Sequence, residues 1–229
     1  MDELTINLIV IAVTGAAIAG LFIFLAACKR QRLADFEAAA NARGWRVRRI
    51  EGALESGVSV EGGASGMPWT LEAKSTASDT SAGPGSSEVS LSTRWRGRLA
   101  MPAERAVVAG PVPAGMDVRA LLGGPMAAMA LAKLLGRREA AWADRLRPVD
   151  VPGMDSLFCL AEDAADARRL FVADAIRALA ALPMHLRPVV KLRTEYLELS
   201  LDGQRLDSAE DMAALVALGE ALTHAWNAP

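Results

Sequence analysis

The sequence predicts an α+β fold carried behind a single N-terminal transmembrane helix. Three observations lead there. A charge-free apolar run extends from Leu8 to Cys28. Short stretches with two-residue alternation cluster between residues 45 and 109 and again between 156 and 202. Helical stretches flank those clusters instead of alternating with them one by one, which points to antiparallel strands and the α+β class. The expected organisation is a short acidic tip over residues 1–7, a transmembrane helix over 8–28, a basic juxtamembrane helix over 29–44, and a mixed α+β domain over 45–226. A helix bearing Phe36 precedes one set of strands and a helix bearing Phe171 another, a repetition that suggests two lobes within the domain, 45–146 and 155–226.

The apolar run comes first. Its 21 residues contain one hydroxyl, Thr14, and no charge. At about 1.5 Å per residue such a helix covers the roughly 30 Å hydrocarbon core of a bilayer. Only acids, Asp2 and Glu3, precede it, while Lys29, Arg30, Arg32, Arg43, Arg46, Arg48 and Arg49 follow. Positive flanks stay on the cytoplasmic side, so the expected location is a bacterial inner membrane, N-terminus out and C-terminal domain in the cytoplasm. Leu25-Ala26-Ala27-Cys28 also matches a lipoprotein processing box, which would instead release a lipidated periplasmic protein beginning at Cys28. The absence of basic residues before the run and a helical pattern immediately after it favour the anchor. Within the span Ala12, Ala16 and Gly20 recur every four residues with Gly15 and Ala19 beside them, a stripe that lets helices pack closely in lipid. It implies an integral membrane partner or a second copy; an alanine-rich chain also produces such stripes by chance.

After the span, Arg32 to Arg43 reads as a helix with Leu33, Phe36 and Ala40 on one face, closed by Gly44. Strands follow at Trp45–Ile50, Val58–Val60, Pro68–Lys74, Glu88–Leu99 and Ala106–Ala109, with "SDTSAGPGSS" (78–87) as a hairpin tip. The strand over 88–99 places Val89, Leu91, Thr93, Trp95 and Leu99 on one face and Ser90, Ser92, Arg94, Arg96 and Arg98 on the other. Residues 116–122 read as a short helical turn, 125–135 as a helix opened by Pro125, 138–146 as a further helix, and 147–154 as a linker. The last third adds a strand at Ser156–Leu160, one or two helices over Asp163–Leu182, a strand pair at Val189–Arg193 and Tyr196–Leu201, and a final helix capped by Ser208. That helix aligns Met212, Leu215, Gly219, Leu222 and Trp226.

Composition narrows the function. Removing Asp2 and Glu3 from the 27 acids leaves 25 against 25 bases, and a formally neutral domain argues against a nucleic-acid partner. Two cysteines, Cys28 and Cys159, make no disulfide framework. No Gly-Lys-Ser/Thr phosphate loop exists, and Gly-x-Ser-x-Gly fails at Met67 around Ser65. His185 and His224 have no second ligand at metal spacing, so neither metal nor cofactor is expected. Glu162, Asp163 and Asp166 at a helix start are accounted for by capping and the helix dipole.

Two features stand above this background. Arg94, Arg96 and Arg98 share one side of a strand, and Arg46 and Arg48 one side of another. If those strands are neighbours, a basic face results near the anchor, worth about 1 kcal/mol per side chain against an anionic leaflet. The other reading is the solvated side of an antiparallel sheet. "PMAAMALAKLL" (125–135) is apolar nearly all round, either a core helix or, through Met126, Met129 and Leu134, a partner-binding helix.

In layout, with "MDSLFCLAEDAADARRLF" and "YLELSLDGQRL" carrying the likeness, the chain resembles bacterial single-pass inner-membrane proteins of unknown function. That resemblance brings no catalytic residues with it. The expectation is a membrane-anchored, cytoplasm-facing interaction protein, non-catalytic, an accessory or scaffold subunit of an inner-membrane assembly. The alternative is a membrane-tethered enzyme or small-ligand binder with a site assembled from scattered residues.

Overall fold

The computed structural model describes residues 3–63, 67–79, 87–112, 145–154, 157–206 and 208–228. It is an α+β fold built on one nine-stranded antiparallel sheet. Helix α1 (Glu3–Ala42) leads into β1 (Arg46–Glu51), β2 (Glu55–Gly62), β3 (Trp69–Asp79), β4 (Ser87–Arg98) and β5 (Val107–Pro111). Then come β6 (Arg147–Pro148), β7 (Leu157–Ala161), α2 (Ala164–Leu170), α3 (Ala173–Ala181), a 3-10 turn at Met184–Leu186, β8 (Val189–Leu192), β9 (Tyr196–Asp202) and α4 (Ala209–Asn227). The strand order is β1-β2-β3-β4-β9-β8-β5-β7-β6. Both stretches expected as lobes feed this one sheet, because β9 pairs with β4 and β5 lies between β8 and β7.

Helix α1 is continuous where the sequence suggested a span and a separate juxtamembrane helix. Residues 29–42 contain no glycine or proline, so nothing interrupts propagation from the apolar run. Its length of 40 residues corresponds to about 60 Å. The end is where Gly44 predicts it. Trp45 N–H donates to the Ala40 carbonyl and Gly44 N–H to that of Asn41, the paired bonds of a Schellman cap, with Gly44 at φ 73°. Phe36 and Ala40 are buried in the domain core, and Leu33 packs at its edge. Arg49 Nε on β1 donates to Glu37 Oε1 at 2.9 Å. The last three turns of α1 are therefore part of the domain.

The opposite holds for Val13 to Ala27. Every residue there is exposed, among them Leu21, Phe22, Ile23 and Phe24. This helix is long and apolar enough to cross a membrane, and none of that segment is buried inside the protein.

One face of the sheet holds the main core. Leu71, Trp95, Leu197 and Leu199 from the strands meet Leu170, Phe171 and Leu179 from α2 and α3 and Met212, Leu215, Leu222 and Trp226 from α4. The α4 residues are those the helical spacing aligned, and Ser208 Oγ accepts from Asp211 N–H as the expected cap. Asp163 caps α2 in the same way, accepting from Ala165 N–H at 2.9 Å. Helices α2 and α3 divide at Phe171–Val172. Close approach of α4 to the sheet depends on Gly219 and Gly97, whose missing side chains leave room for the Trp95 ring.

Two details differ from the sequence reading. Val89 and Leu91, expected among the core residues of β4, are exposed, because β3 and β4 extend beyond the layer formed by the 204–206 loop at Thr93 and α4 at Trp95. Arg147–Pro148, expected as linker, forms a two-residue edge strand on β7. The expected elements at 116–122 and 125–135, most of that at 138–146 and most of the 78–87 tip lie outside the described residues.

Candidate functional site

The small-residue stripe lies on the exposed part of α1. Gly15, Ala16, Ala19 and Gly20 are exposed, and a Cβ built on Gly15 or Gly20 would meet nothing within 4 Å; Ala12 belongs to the same helix. Lys29, Arg30 and Arg32 follow on the next turns. The stripe is unobstructed for a helix partner. Met126, Met129 and Leu134 lie outside the described residues.

The five strand arginines share the face opposite the helices. Registers Arg46↔Glu61, Arg48↔Ser59, Glu72↔Arg94 and Thr70↔Arg96 show it, since directly paired residues point to the same side. However, β2 and β3 separate β1 from β4 and place Glu61 and Glu72 between the two arginine sets. The structure brings together Arg94 and Arg96, but not these with Arg46 and Arg48. Arg98 continues the β4 row and is exposed.

Arg94 and Arg96 converge on a carboxylate that the sequence did not single out. Glu198 on β9 is 2% exposed. Arg96 Nε donates to its Oε2 at 2.8 Å, Arg94 Nε lies 3.6 Å from Oε1, and Lys191 Nζ on β8 lies 3.7 Å from the same oxygen. Burial alone would push the Glu198 carboxyl up. The Arg96 hydrogen bond and the charges of Arg94 and Lys191 outweigh it and hold the carboxyl below its ordinary value. For Lys191 burial is the larger effect, and its pKa is lowered although Glu198 opposes the shift. Tyr196 lies under the guanidinium groups of Arg96 and Arg193, each 5.4 Å from the ring centroid. Such a charge cluster ties β4, β9 and β8 together. The guanidinium groups of Arg94 and Arg96 remain partly open to solvent, where they suit an anionic group.

On the helical side a cleft of about 200 Å³ opens between β3, β4 and α4, lined by Met67, Trp69, Trp95, Gly97, Glu220, Thr223 and His224. Trp45, Trp69 and Trp95 form an aromatic row beside it, with centroids 5.2 and 6.5 Å apart. The polar groups of the cleft are largely engaged. Trp69 Nε1 donates to Glu220 Oε1 at 2.8 Å, and the Thr223 hydroxyl donates to the Gly219 carbonyl at 2.8 Å. Trp95 Nε1, fully buried, has no partner among the described residues. The cleft is smaller than the roughly 300–1,000 Å³ of most small-molecule sites.

Remaining candidates resolve into structural contacts. Asp163 and Asp166 sit beside Arg105, and Glu162 accepts from Ala106 N–H. His185 Nε2 lies 3.7 Å from Asp211 Oδ2 on the exposed surface. Cys159 is buried, and burial pushes its thiol up to about 12, which makes it a poor nucleophile. Among the described residues no group of three metal-ligating side chains comes together.

No protein family and no curated protein matches the sequence. Among solved structures, the chain is similar to the mycobacterial trehalose monomycolate transport factor A, TtfA, with 9% identity over 87% of this chain and 92% of that one and a TM-score of 0.44. At that identity and score the likeness carries no argument about function.

Proposed function

We propose that this chain is a membrane-anchored, cytoplasm-facing interaction protein, an accessory or scaffold subunit of an inner-membrane assembly. The observation that carries this reading is α1. Its segment Val13 to Ala27 is apolar and exposed throughout, while its last turns are locked into the domain by Phe36, Ala40 and the Arg49–Glu37 pair. A helix continuous through Cys28 suits a mount better than a lipoprotein tether, which needs slack chain after the modified cysteine. The basic collar of Lys29, Arg30 and Arg32 supports the inward orientation, and the open stripe around Gly15 and Gly20 supports a partner helix in the bilayer. Mild-detergent purification of the full chain, followed by mass spectrometry, tests this. The expected result is a stoichiometric assembly, with another membrane protein or a second copy, that Gly20→Leu disrupts. A solitary monomer, unchanged by that substitution, contradicts the reading.

The cleft supports a second reading, a membrane-tethered small-ligand binder, because Trp69, Trp95, Glu220 and His224 converge there. A metabolite extract that shifts the tryptophan fluorescence of the wild type, but not of Glu220→Ala, favours it.

A further inference from the structure

Leu54, Val89 and Leu91 are large apolar side chains that remain 54, 58 and 37% exposed. They are neighbours. Ala77 N–H donates to the Leu54 carbonyl at 2.7 Å, Ala77 pairs with Val89, and Ser75 pairs with Leu91. The β1–β2 turn and the outer half of the β3–β4 hairpin thus form one apolar edge.

Its position relative to α1 follows from the registers. β1 returns alongside α1 after the Gly44 cap, and Arg49 meets Glu37. Pairings Arg49↔Val58, Val58↔Ala73 and Ala73↔Thr93 carry that height across the sheet. From Glu37 back to Cys28, nine helical residues climb about 14 Å. From Ala73 to Ala77, four strand residues climb about 13 Å in the same direction. A twist of about 20° per strand, summed over the three steps from β1 to β4, trims this to about 7 Å along β4. Val89 therefore stands within about 7 Å of the height of Cys28, inside a headgroup layer of about 5–8 Å. Arg94, Arg96 and Arg98 run the other way along β4. With the same twist, Arg98 ends about 22 Å from the height of Cys28, more than two Debye lengths from any leaflet charge.

We infer that this edge is a second membrane contact: Leu54, Val89 and Leu91 rest in the lipid headgroup layer, so that the domain touches the bilayer through an apolar hairpin and not through its arginines. The inference rests on the anchor reading. The occupant is lipid because the patch lies at the height where the exposed apolar run of α1 ends, and no other described element covers it. Glu51, Glu55 and Glu88 are exposed at the same end, so the contact is shallow and gains nothing from anionic lipid.

Full-length protein carrying Cys28→Ser is labelled with an environment-sensitive fluorophore at Val89→Cys, Leu91→Cys or Met101→Cys and reconstituted into phosphatidylcholine vesicles. Met101 is exposed beside the far end of α4, whose Trp226 donates to its carbonyl. The expected result is co-flotation with the vesicles, a blue-shifted probe at position 89, and several-fold weaker iodide quenching there than at 101, with 91 between them. Co-flotation with equal quenching at all three positions overturns this inference alone. Failure to co-float overturns the anchor reading and this inference with it. Shielding that arises only after phosphatidylglycerol is added overturns the apolar contact in favour of arginine-led docking.

Discussion

Replacing Gly219 by alanine sets two effects of opposite sign against each other. In an exposed helix interior, alanine is about 1 kcal/mol more stabilising than glycine. In α4, however, the new Cβ would lie 2.5–2.6 Å from three carbons of the Trp95 ring. That ring is fully buried and cannot retreat, because a Cβ built on Gly97 would stand only 2.4 Å from its far edge, which shows how closely β4 holds it. Overpacking of this kind costs about 1–3 kcal/mol. With backbone on both sides of the ring the upper half of that range applies, which leaves a net loss of about 1–2 kcal/mol after the propensity gain. Urea unfolding of the full chain in detergent micelles, followed by tryptophan fluorescence, measures it. Ala217→Gly, at an exposed position of the same helix, is the reference and should lose about 1 kcal/mol. Trp95→Phe in the alanine background should recover part of the loss. A Gly219→Ala protein as stable as the wild type, or more so, refutes the close docking of α4 on Trp95.

Other perturbations read the same structure elsewhere. Glu198→Ala leaves Lys191, Arg94 and Arg96 without their buried carboxylate and should cost about 3–5 kcal/mol in urea unfolding. Because the folded carboxyl titrates below the ordinary 4.5, its contribution is present above that value and lost as pH falls through the folded one. Glu198→Gln should therefore flatten the acid limb of the stability profile. Cys159 has the opposite sign: its thiol is raised from 9.0 to about 12, so stability held below pH 9 is lost as pH rises towards 12. The wild-type advantage over Cys159→Ala should shrink by about 1.4 kcal/mol per pH unit above 9. Cys28→Ser should leave the protein in the membrane, and intact-mass analysis of the wild type should find residues 1–27 still attached.

Local features were legible in the sequence where local physics decides them. The apolar face of α4, the caps at Gly44, Asp163 and Ser208 and the alternation of β4 all rest on spacing within one element. What required the structure is long-range. Glu198 sits in the polar phase of Tyr196–Asp202, and a polar phase looks the same whether its face meets water or lies buried; only the placement of β9 between β4 and β8 distinguishes them. Trp69 and Glu220 are 151 residues apart, so no motif announces the cleft they share. Val89 and Leu91 follow the core phase of β4 but lie beyond the layer that would cover them, since periodicity reports a face and not where its cover ends. The continuity of α1 through Cys28 had a signal after all, the absence of any helix breaker between Cys28 and Ala42. The change from apolar to basic text drew a boundary there that the backbone does not observe.

The central claim is that α1 spans the membrane and holds the sheet domain on its inner side. A reporter fused after Pro229 in the full chain tests it most directly. A cytoplasm-active fluorescent reporter should be bright and a periplasm-active phosphatase silent, and neutralising Lys29, Arg30 and Arg32 together should weaken that preference. An active phosphatase with a dark fluorescent fusion would place the domain on the outer side and contradict the account.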